Sequence, residues 1–201
     1  MSKVFTIGHS THSIEKFIGL LRDTEIDAVA DVRSSPFSRF NPQFNRDSLK
    51  QSLVESDIRY VFLGEELGAR SKDPSCYVDG KAIYERIAKT ELFRKGIDRV
   101  LTGAANMRIA LMCAEAEPLD CHRTILVART IAARGAEIAH IHSDGRIETH
   151  ARALDRLVSR YRGQSSDLFA TREELIDQAL SHRGEEIAYQ EEQTKPRAAA
   201  G

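Results

Sequence analysis

The strongest constraint on the fold is a repeated pattern of short apolar segments, each followed by a polar loop and then by apolar residues at helical spacing. Such segments are typical of buried strands, and their alternation with helices favours a parallel sheet covered on both faces. The four segments lie at residues 4–7, 26–32, 58–63 and 108–113. The sequence therefore predicts an α/β fold with a mostly parallel sheet of about five strands between two layers of helices.

The sheet is predicted to end in a hairpin. Residues 137–150, EIAHIHSDGRIETH, place an Asp-Gly turn between two short strand-like runs. Two further helical patterns follow the hairpin. We therefore expect a single domain with an α/β core over residues 1–150, C-terminal helices packed on it over 151–190, and a disordered tail over 191–201.

Composition limits the class of protein. Hydrophobic residues make up 41% of the chain and charged residues 29%, and no apolar run approaches the roughly 20 residues that cross a bilayer. The start of the chain turns polar too early for a signal peptide, and three cysteines fit a reducing compartment, so we expect a cytoplasmic protein that does not contact membrane. A net charge of -1 excludes an overall basic field for nucleic acid but permits a local basic groove.

Polar residues follow three of the predicted strands. In an open α/β sheet, ligands bind beyond the carboxyl ends of the strands, so these residues are the first candidates for a site. If the strands are neighbours, one rim collects His9, Ser10, Asp31, Arg33, Cys113, Glu115 and Cys121.

The segment LMCAEAEPLDCHR, residues 111–123, carries two of the three cysteines. We predict that Cys121 lies in the first turn of a helix with Asp120 as its N-cap. The helix terminus and the positive charges of His122 and Arg123 then favour a thiolate. Arg123 is also a candidate to bind a phosphate or carboxylate, and Glu115 is a candidate general acid or base.

Cys113 closes an apolar strand, so it is either a buried inert thiol or a resolving partner that forms a transient disulfide with Cys121. A zinc site is the alternative for both cysteines, with His122 and His9 completing the ligands. The gap between the cysteines is wider than the usual knuckle spacing, and metal is not our first interpretation. His140 and His142, on one face of a strand, form a second and weaker metal candidate.

The segment DVRSSPFSRFNPQFN, residues 31–45, combines arginines with phenylalanines. Arg33 and Arg39 suit a phosphate, and the aromatic rings suit a base, so a nucleotide or single-stranded nucleic acid fits this loop. The alternative is a long loop held to the core by its phenylalanines. Asp31, at the end of a buried strand, is expected to orient Arg33 or His9.

Six motifs occur in the order TIGHS, DVRSSPFS, LGEELGAR, LMCAEAEPLDCHR, HIHSDG and GEEIAYQ. Together they resemble the family called domain of unknown function 488 (DUF488). LGEELGAR is less rich in glycine than the family's form. The resemblance implies a single α/β domain, without an established reaction, and motif positions at His9, Ser10, Asp31, Arg33, Cys113, Glu115, Cys121, His122 and Arg123.

Two functions follow from these patterns. The first is an enzyme in which Cys121 is a nucleophile or redox thiol, His122 or His9 moves protons, and arginines hold an anionic substrate, either a small molecule or a nucleic acid. The second is a binding module for nucleotide or nucleic acid, with structural or zinc-binding cysteines. The patterns assign neither a cofactor nor an oligomeric state.

Overall fold

The computed structural model describes residues 2–161 and 170–191. The strands are β1 (Lys3–Gly8), β2 (Ala28–Asp31), β3 (Arg59–Phe62), β4 (Tyr77–Val78), β5 (Lys81–Ala82), β6 (Ile109–Cys113), β7 (Glu137–Ile141) and β8 (Ile147–Thr149). Six of them form one sheet in the order β3-β2-β6-β1-β7-β8, while β4 and β5 form a separate hairpin. All neighbours in the large sheet are parallel except β7 and β8. The predicted α/β fold with a terminal hairpin is confirmed.

Helices cover the sheet. The α-helices are α1 (Ile14–Asp23), α2 (Arg46–Val54), α3 (Gly64–Leu67), α4 (Tyr84–Ile87), α5 (Glu91–Ala104), α6 (Arg129–Ala133), α7 (His150–Arg160) and α8 (Arg172–Ile187). The predicted helical stretch before β6 is broken into α4, which ends at its C-cap Ala88, and α5, whose N-cap Thr90 accepts a hydrogen bond from the Phe93 N–H.

The two faces of the sheet carry separate apolar cores. In β1, Val4 faces the core that includes α5, whereas Phe5 and Ile7 face the core that includes α1 and α2. Alternate strand residues point to opposite faces, so a strand that is buried on both sides appears as a continuous apolar run. This explains why short continuous apolar runs locate these strands in the sequence.

The strand order brings the polar strand ends together. Because β1 and β2 both pair with β6, the loops after these three strands leave the same edge of the sheet. Backbone hydrogen bonds continue the pairing past the strands, from His9 N to Cys113 O at 2.9 Å and from Val32 N to Met112 O at 3.1 Å. The three loops are thus fixed relative to one another.

The C-terminal helices pack on the core that includes α5. Leu157 of α7 and Leu180 of α8 belong to the same apolar cluster as Ile109 and Leu111 of β6. Residues 192–201, which make up most of the predicted tail, lie outside the described residues. No helix in the described part of the chain is long and apolar enough to cross a membrane.

Candidate functional site

A cavity of 270 Å³ opens where β2 and β6 end. Its wall is formed by the loops after these strands, by the segment after α3 and by residues near the end of α8. The lining residues are Arg33, Ser34, Ser35, Ala69, Arg70, Tyr84, Cys113, Ala114, Glu115, Asp120, Cys121, His122, Ile187 and Tyr189. We refer to it as the cysteine cleft.

The loop between the two cysteines differs from the prediction. Cys121 is not in the first turn of a regular α-helix, because a 3₁₀ turn (Pro118–Asp120) precedes it and a turn of π-helix (Arg123–Ala128) follows before α6 begins. The prediction that Asp120 is the N-cap is also wrong. Its carboxylate instead binds Arg160 at 2.9 Å and Arg183 at 2.7 Å, which tie the loop to α7 and α8.

Cys121 is only 1% exposed, yet it contributes to the wall of the cysteine cleft. Its Sγ accepts a hydrogen bond from the Arg123 backbone N–H at 3.4 Å and shares a hydrogen bond of 2.9 Å with Glu115 Oε2. Burial alone raises the pKa of a thiol, but the hydrogen bond from Cys113 and the positive charges of Arg123 and His122 hold the pKa of Cys121 well below its usual range. Burial and the negative charge of Cys121 raise the pKa of Glu115. Both directions shift the shared proton toward Glu115.

Arg123 is fully buried and does not line the cysteine cleft. Its guanidinium donates to the backbone carbonyls of Glu115 at 2.6 Å and Ala116 at 3.2 Å, and its Nε has no partner. Within the described residues, no carboxylate forms an ion pair with it. Since a buried charge without a counter-charge is costly, the negative charge available to balance Arg123 is that shared by Cys121 and Glu115. The predicted contact of Arg123 with a substrate does not fit this placement.

His122 lies between the two thiols. Its Nε2–H donates to the Val32 carbonyl at 2.9 Å, which leaves Nδ1 facing Cys113 Sγ at 3.7 Å and Cys121 Sγ at 3.9 Å. Burial lowers the pKa of the imidazole, but hydrogen bonding to Cys121 and the charges of Cys121 and Glu115 raise it overall. The hydrogen bond to Cys121, together with burial, raises the pKa of Cys113 well above its usual range. Cys113 is thus the protonated thiol of the pair.

Arg33 reaches the cysteine cleft from a buried ion pair. Asp31 accepts from Arg33 Nε at 2.9 Å and from its Nη2 at 2.7 Å, and it also accepts from the Tyr60 hydroxyl at 2.8 Å. The prediction that Asp31 orients Arg33 agrees with these contacts. The guanidinium additionally donates to the Phe44 carbonyl and to His9 Nε2.

The other predicted rim residues lie outside the cysteine cleft. His9 accepts from Arg33 through Nε2, donates through Nδ1 to the Ser10 carbonyl at 2.8 Å, and stacks on Phe44. Burial lowers the pKa of His9 to about 4. Because both ring nitrogens of His9 are already hydrogen-bonded, to Arg33 and to the Ser10 carbonyl, His9 is not placed to move a proton at Cys121. Ser10 does not line the cleft, and Arg39 is exposed over the ring of Phe40.

A family model described as "Domain of unknown function DUF488" matches residues 13–130. The chain belongs to the DUF488 family. No curated protein and no solved structure matches the chain. The match covers the loops that supply Arg33, Glu115 and both cleft cysteines, whereas His9 and Ser10 precede it. In this DUF488 protein the matched region therefore contains every lining residue of the cysteine cleft except Ile187 and Tyr189.

Sequence reasoning missed several cleft residues of this DUF488 protein. Arg70 follows α3, where its backbone N–H donates to Ser34 Oγ at 3.0 Å, and its guanidinium lies over the ring of Tyr189. Tyr84 starts α4, and burial raises the pKa of its hydroxyl. The available signal was position, since LGEELGAR follows the third strand as the other motifs follow theirs.

One group of side chains in the described part of this DUF488 protein could hold a metal ion. It consists of Cys113, Cys121 and His122, whose ligand atoms all lie within 4.8 Å of one another. His9 is not in this group. His140 contacts Thr6 and His150, while His142 lies beyond β7 and contacts Glu148. The second metal candidate is thus not assembled.

Proposed function

We propose that this DUF488 protein is a cysteine-dependent enzyme that acts on a small anionic substrate, with Cys121 as the nucleophile. The observation that carries the proposal is the fully buried Arg123, without a carboxylate ion pair in the described residues, beside a thiol that lines a cavity. A cation held in this position stabilises a negatively charged sulfur, and a thiolate is the reactive form of cysteine.

The side chains around Cys121 have separate tasks in a group transfer. Cys121 Sγ attacks the electrophilic atom of the substrate, and a bond forms between them as the bond to the leaving group breaks. The leaving group takes the electron pair and the proton that Glu115 shares with Cys121. Cys113 and His122 donate hydrogen bonds toward the sulfur before the attack. Water or a second substrate then takes the transferred group from Cys121.

The walls of the cleft favour an anionic group on the substrate. Arg33 and Arg70 both line it, together with the hydroxyls of Ser34 and Ser35. Arginine and hydroxyl donors match the oxygens of a phosphate or carboxylate. A cavity of 270 Å³ is near the lower limit for ligand pockets, about 300 Å³, which favours a small phosphate-bearing molecule over a polymer inside the cleft.

The free state of all three cysteines supports a cytoplasmic location.

The experiment that tests the nucleophile is alkylation by iodoacetamide at neutral pH with a chelator present, read by mass spectrometry at each cysteine. Cys76 is a matched internal control, because it is also 1% exposed but does not line the cysteine cleft. We expect Cys121 to react at least tenfold faster than Cys76 and Cys113, and Cys121→Ser to lose turnover of any substrate that is found. Equal rates at Cys121 and Cys76 would exclude an activated nucleophile.

A second candidate, binding of single-stranded nucleic acid, rests on the loop that borders the cleft. Phe37 is 72% exposed and Phe40 is 77% exposed, with Arg39 at 4.6 Å from the Phe40 ring centre. Exposed rings beside a cation suit stacked bases and phosphates.

This candidate predicts that a short oligothymidine binds at low salt, that affinity falls as salt is raised, and that Phe37→Ala with Phe40→Ala weakens binding at least tenfold. Leu92→Ala, at an exposed apolar residue of α5, is the control and leaves affinity unchanged. Fluorescence anisotropy measures the affinity of the parent and of each variant. Absence of binding at low salt would leave the enzyme as the sole proposal.

A further inference from the structure

The two cleft thiols and the imidazole between them have the spacing of ligands around one metal ion. Zinc bonds sulfur at about 2.3 Å and nitrogen at about 2.0 Å, so in a tetrahedral site the ligand atoms lie roughly 3.5 to 3.8 Å apart. His122 Nδ1 is 3.7 Å from Cys113 Sγ and 3.9 Å from Cys121 Sγ. The three donors need only a small inward shift to share a cation.

The surroundings of the donors orient them toward one point. The hydrogen bond from His122 Nε2 to the Val32 carbonyl fixes the imidazole so that Nδ1 faces both sulfurs, and Nδ1 becomes a metal ligand when its proton leaves. Histidine ligands of metals commonly use their second nitrogen in this way. The Arg123 backbone N–H, at 3.4 Å from Cys121 Sγ, is a donor of the kind that supports a metal-bound thiolate.

The loop geometry also explains how two cysteines that are far apart for a zinc knuckle come close together in the fold. Cys113 ends a central strand, and the 3₁₀ turn held by Asp120 returns the chain so that Cys121 stands opposite it. All three donors line the cysteine cleft. Glu115 touches Cys121 but is outside the group of atoms within 4.8 Å, so the group provides three ligands, all of them at the wall of the cavity.

We propose that Cys113, Cys121 and His122 form a binding site for one soft divalent cation of the zinc class, and that this cation competes with the substrate for Cys121. Binding forms two metal–sulfur bonds and one metal–nitrogen bond and releases to the solvent the protons held at the two sulfurs and at His122 Nδ1, with no change of oxidation state. The cation thereby holds the enzyme in an inactive state. This regulatory role rests on the proposed function, whereas the metal site itself does not.

The test is an anaerobic titration of the metal-free, reduced protein with Co²⁺, followed by absorbance. We expect saturation at one Co²⁺ per chain, a thiolate-to-cobalt band in the near ultraviolet, visible bands of a tetrahedral ion, and displacement by Zn²⁺, which binds more tightly. Cys113→Ala, Cys121→Ala and His122→Ala should each weaken binding by more than about 100-fold, since even loss of an outer contact costs 10- to 100-fold.

Cys76→Ala is the matched control and should bind Co²⁺ as the parent does, because Cys76 lies outside the group. Circular dichroism of each metal-free variant checks that it folds. Absence of the thiolate band in the parent, or an equal band in folded Cys121→Ala, would overturn the metal site. Alkylation of the metal-free protein separates the two proposals, because slow labelling of Cys121 with normal Co²⁺ binding removes the nucleophile and leaves the metal site. If both proposals hold, one equivalent of Zn²⁺ blocks labelling of Cys121.

Discussion

We expect Gly8→Ala to displace the loop that carries Glu115, to slow alkylation of Cys121 at least tenfold, and to destabilise the fold by about 1 to 3 kcal/mol. Gly8 ends β1 and pairs with Cys113. A Cβ atom at Gly8 would overlap the carbonyl oxygen of Glu115 and lie 2.8 Å from its carbonyl carbon. Because β1 is held between β6 and β7, the loop has more freedom to move than the strand.

The same displacement disturbs the charges around Cys121. The overlapped carbonyl of Glu115 is the group that accepts the hydrogen bond from Arg123, and the Glu115 side chain touches Cys121. Moving this residue therefore changes both the buried cation and the proton donor. The measurements are site-resolved alkylation and urea unfolding.

Gly19→Ala is the control for this prediction. Gly19 lies inside α1, and a Cβ there would meet no atom within 4 Å. Alanine has a higher helix propensity than glycine, so this variant should be stabilised by about 0.5 to 1 kcal/mol with unchanged alkylation. If Gly8→Ala matched the parent in both measurements, the close packing of β1 against the cysteine loop would be wrong.

Local pattern predicted the six strands of the large sheet, including its hairpin, because most of them are runs of consecutive apolar residues. It did not predict the two-residue strands β4 and β5. The start of the helical segment after Cys121 could not be predicted in the same way. Asp120 has the residue type of an N-cap, but its carboxylate binds Arg160 and Arg183, which approach it only in the folded chain. Long-range ion pairs decided the local geometry.

The site likewise combines features that local sequence predicts with features that depend on long-range contacts. The predicted loops do meet, because each follows a strand of one sheet. The depth of each side chain was not predictable. The position of Arg123, two residues after Cys121, predicts an exposed side chain that binds an anion. In the structure the side chain is fully buried and donates to two backbone carbonyls. Arg70 and Tyr189 reach the cleft from segments far apart in sequence, so no local pattern could connect them to it.

The second large effect is expected at the ion pair below the cleft. Both side chains of the Asp31 and Arg33 pair are buried, and the carboxylate also accepts from Tyr60. Removing one member of a buried pair leaves the other charge without compensation, which costs about 3 to 5 kcal/mol. Asp31→Ala should therefore lower the free energy of unfolding by about this amount, measured by urea denaturation.

Two further variants show whether the unpaired charge causes the loss. Asp31→Ala combined with Arg33→Met should be less destabilised than Asp31→Ala alone, because the double variant contains no uncompensated guanidinium. Asp98→Ala breaks an exposed pair with Arg134 and should change stability by less than about 1 kcal/mol. A double variant as unstable as the single one would mean that Asp31 acts through its contact with Tyr60 or through packing.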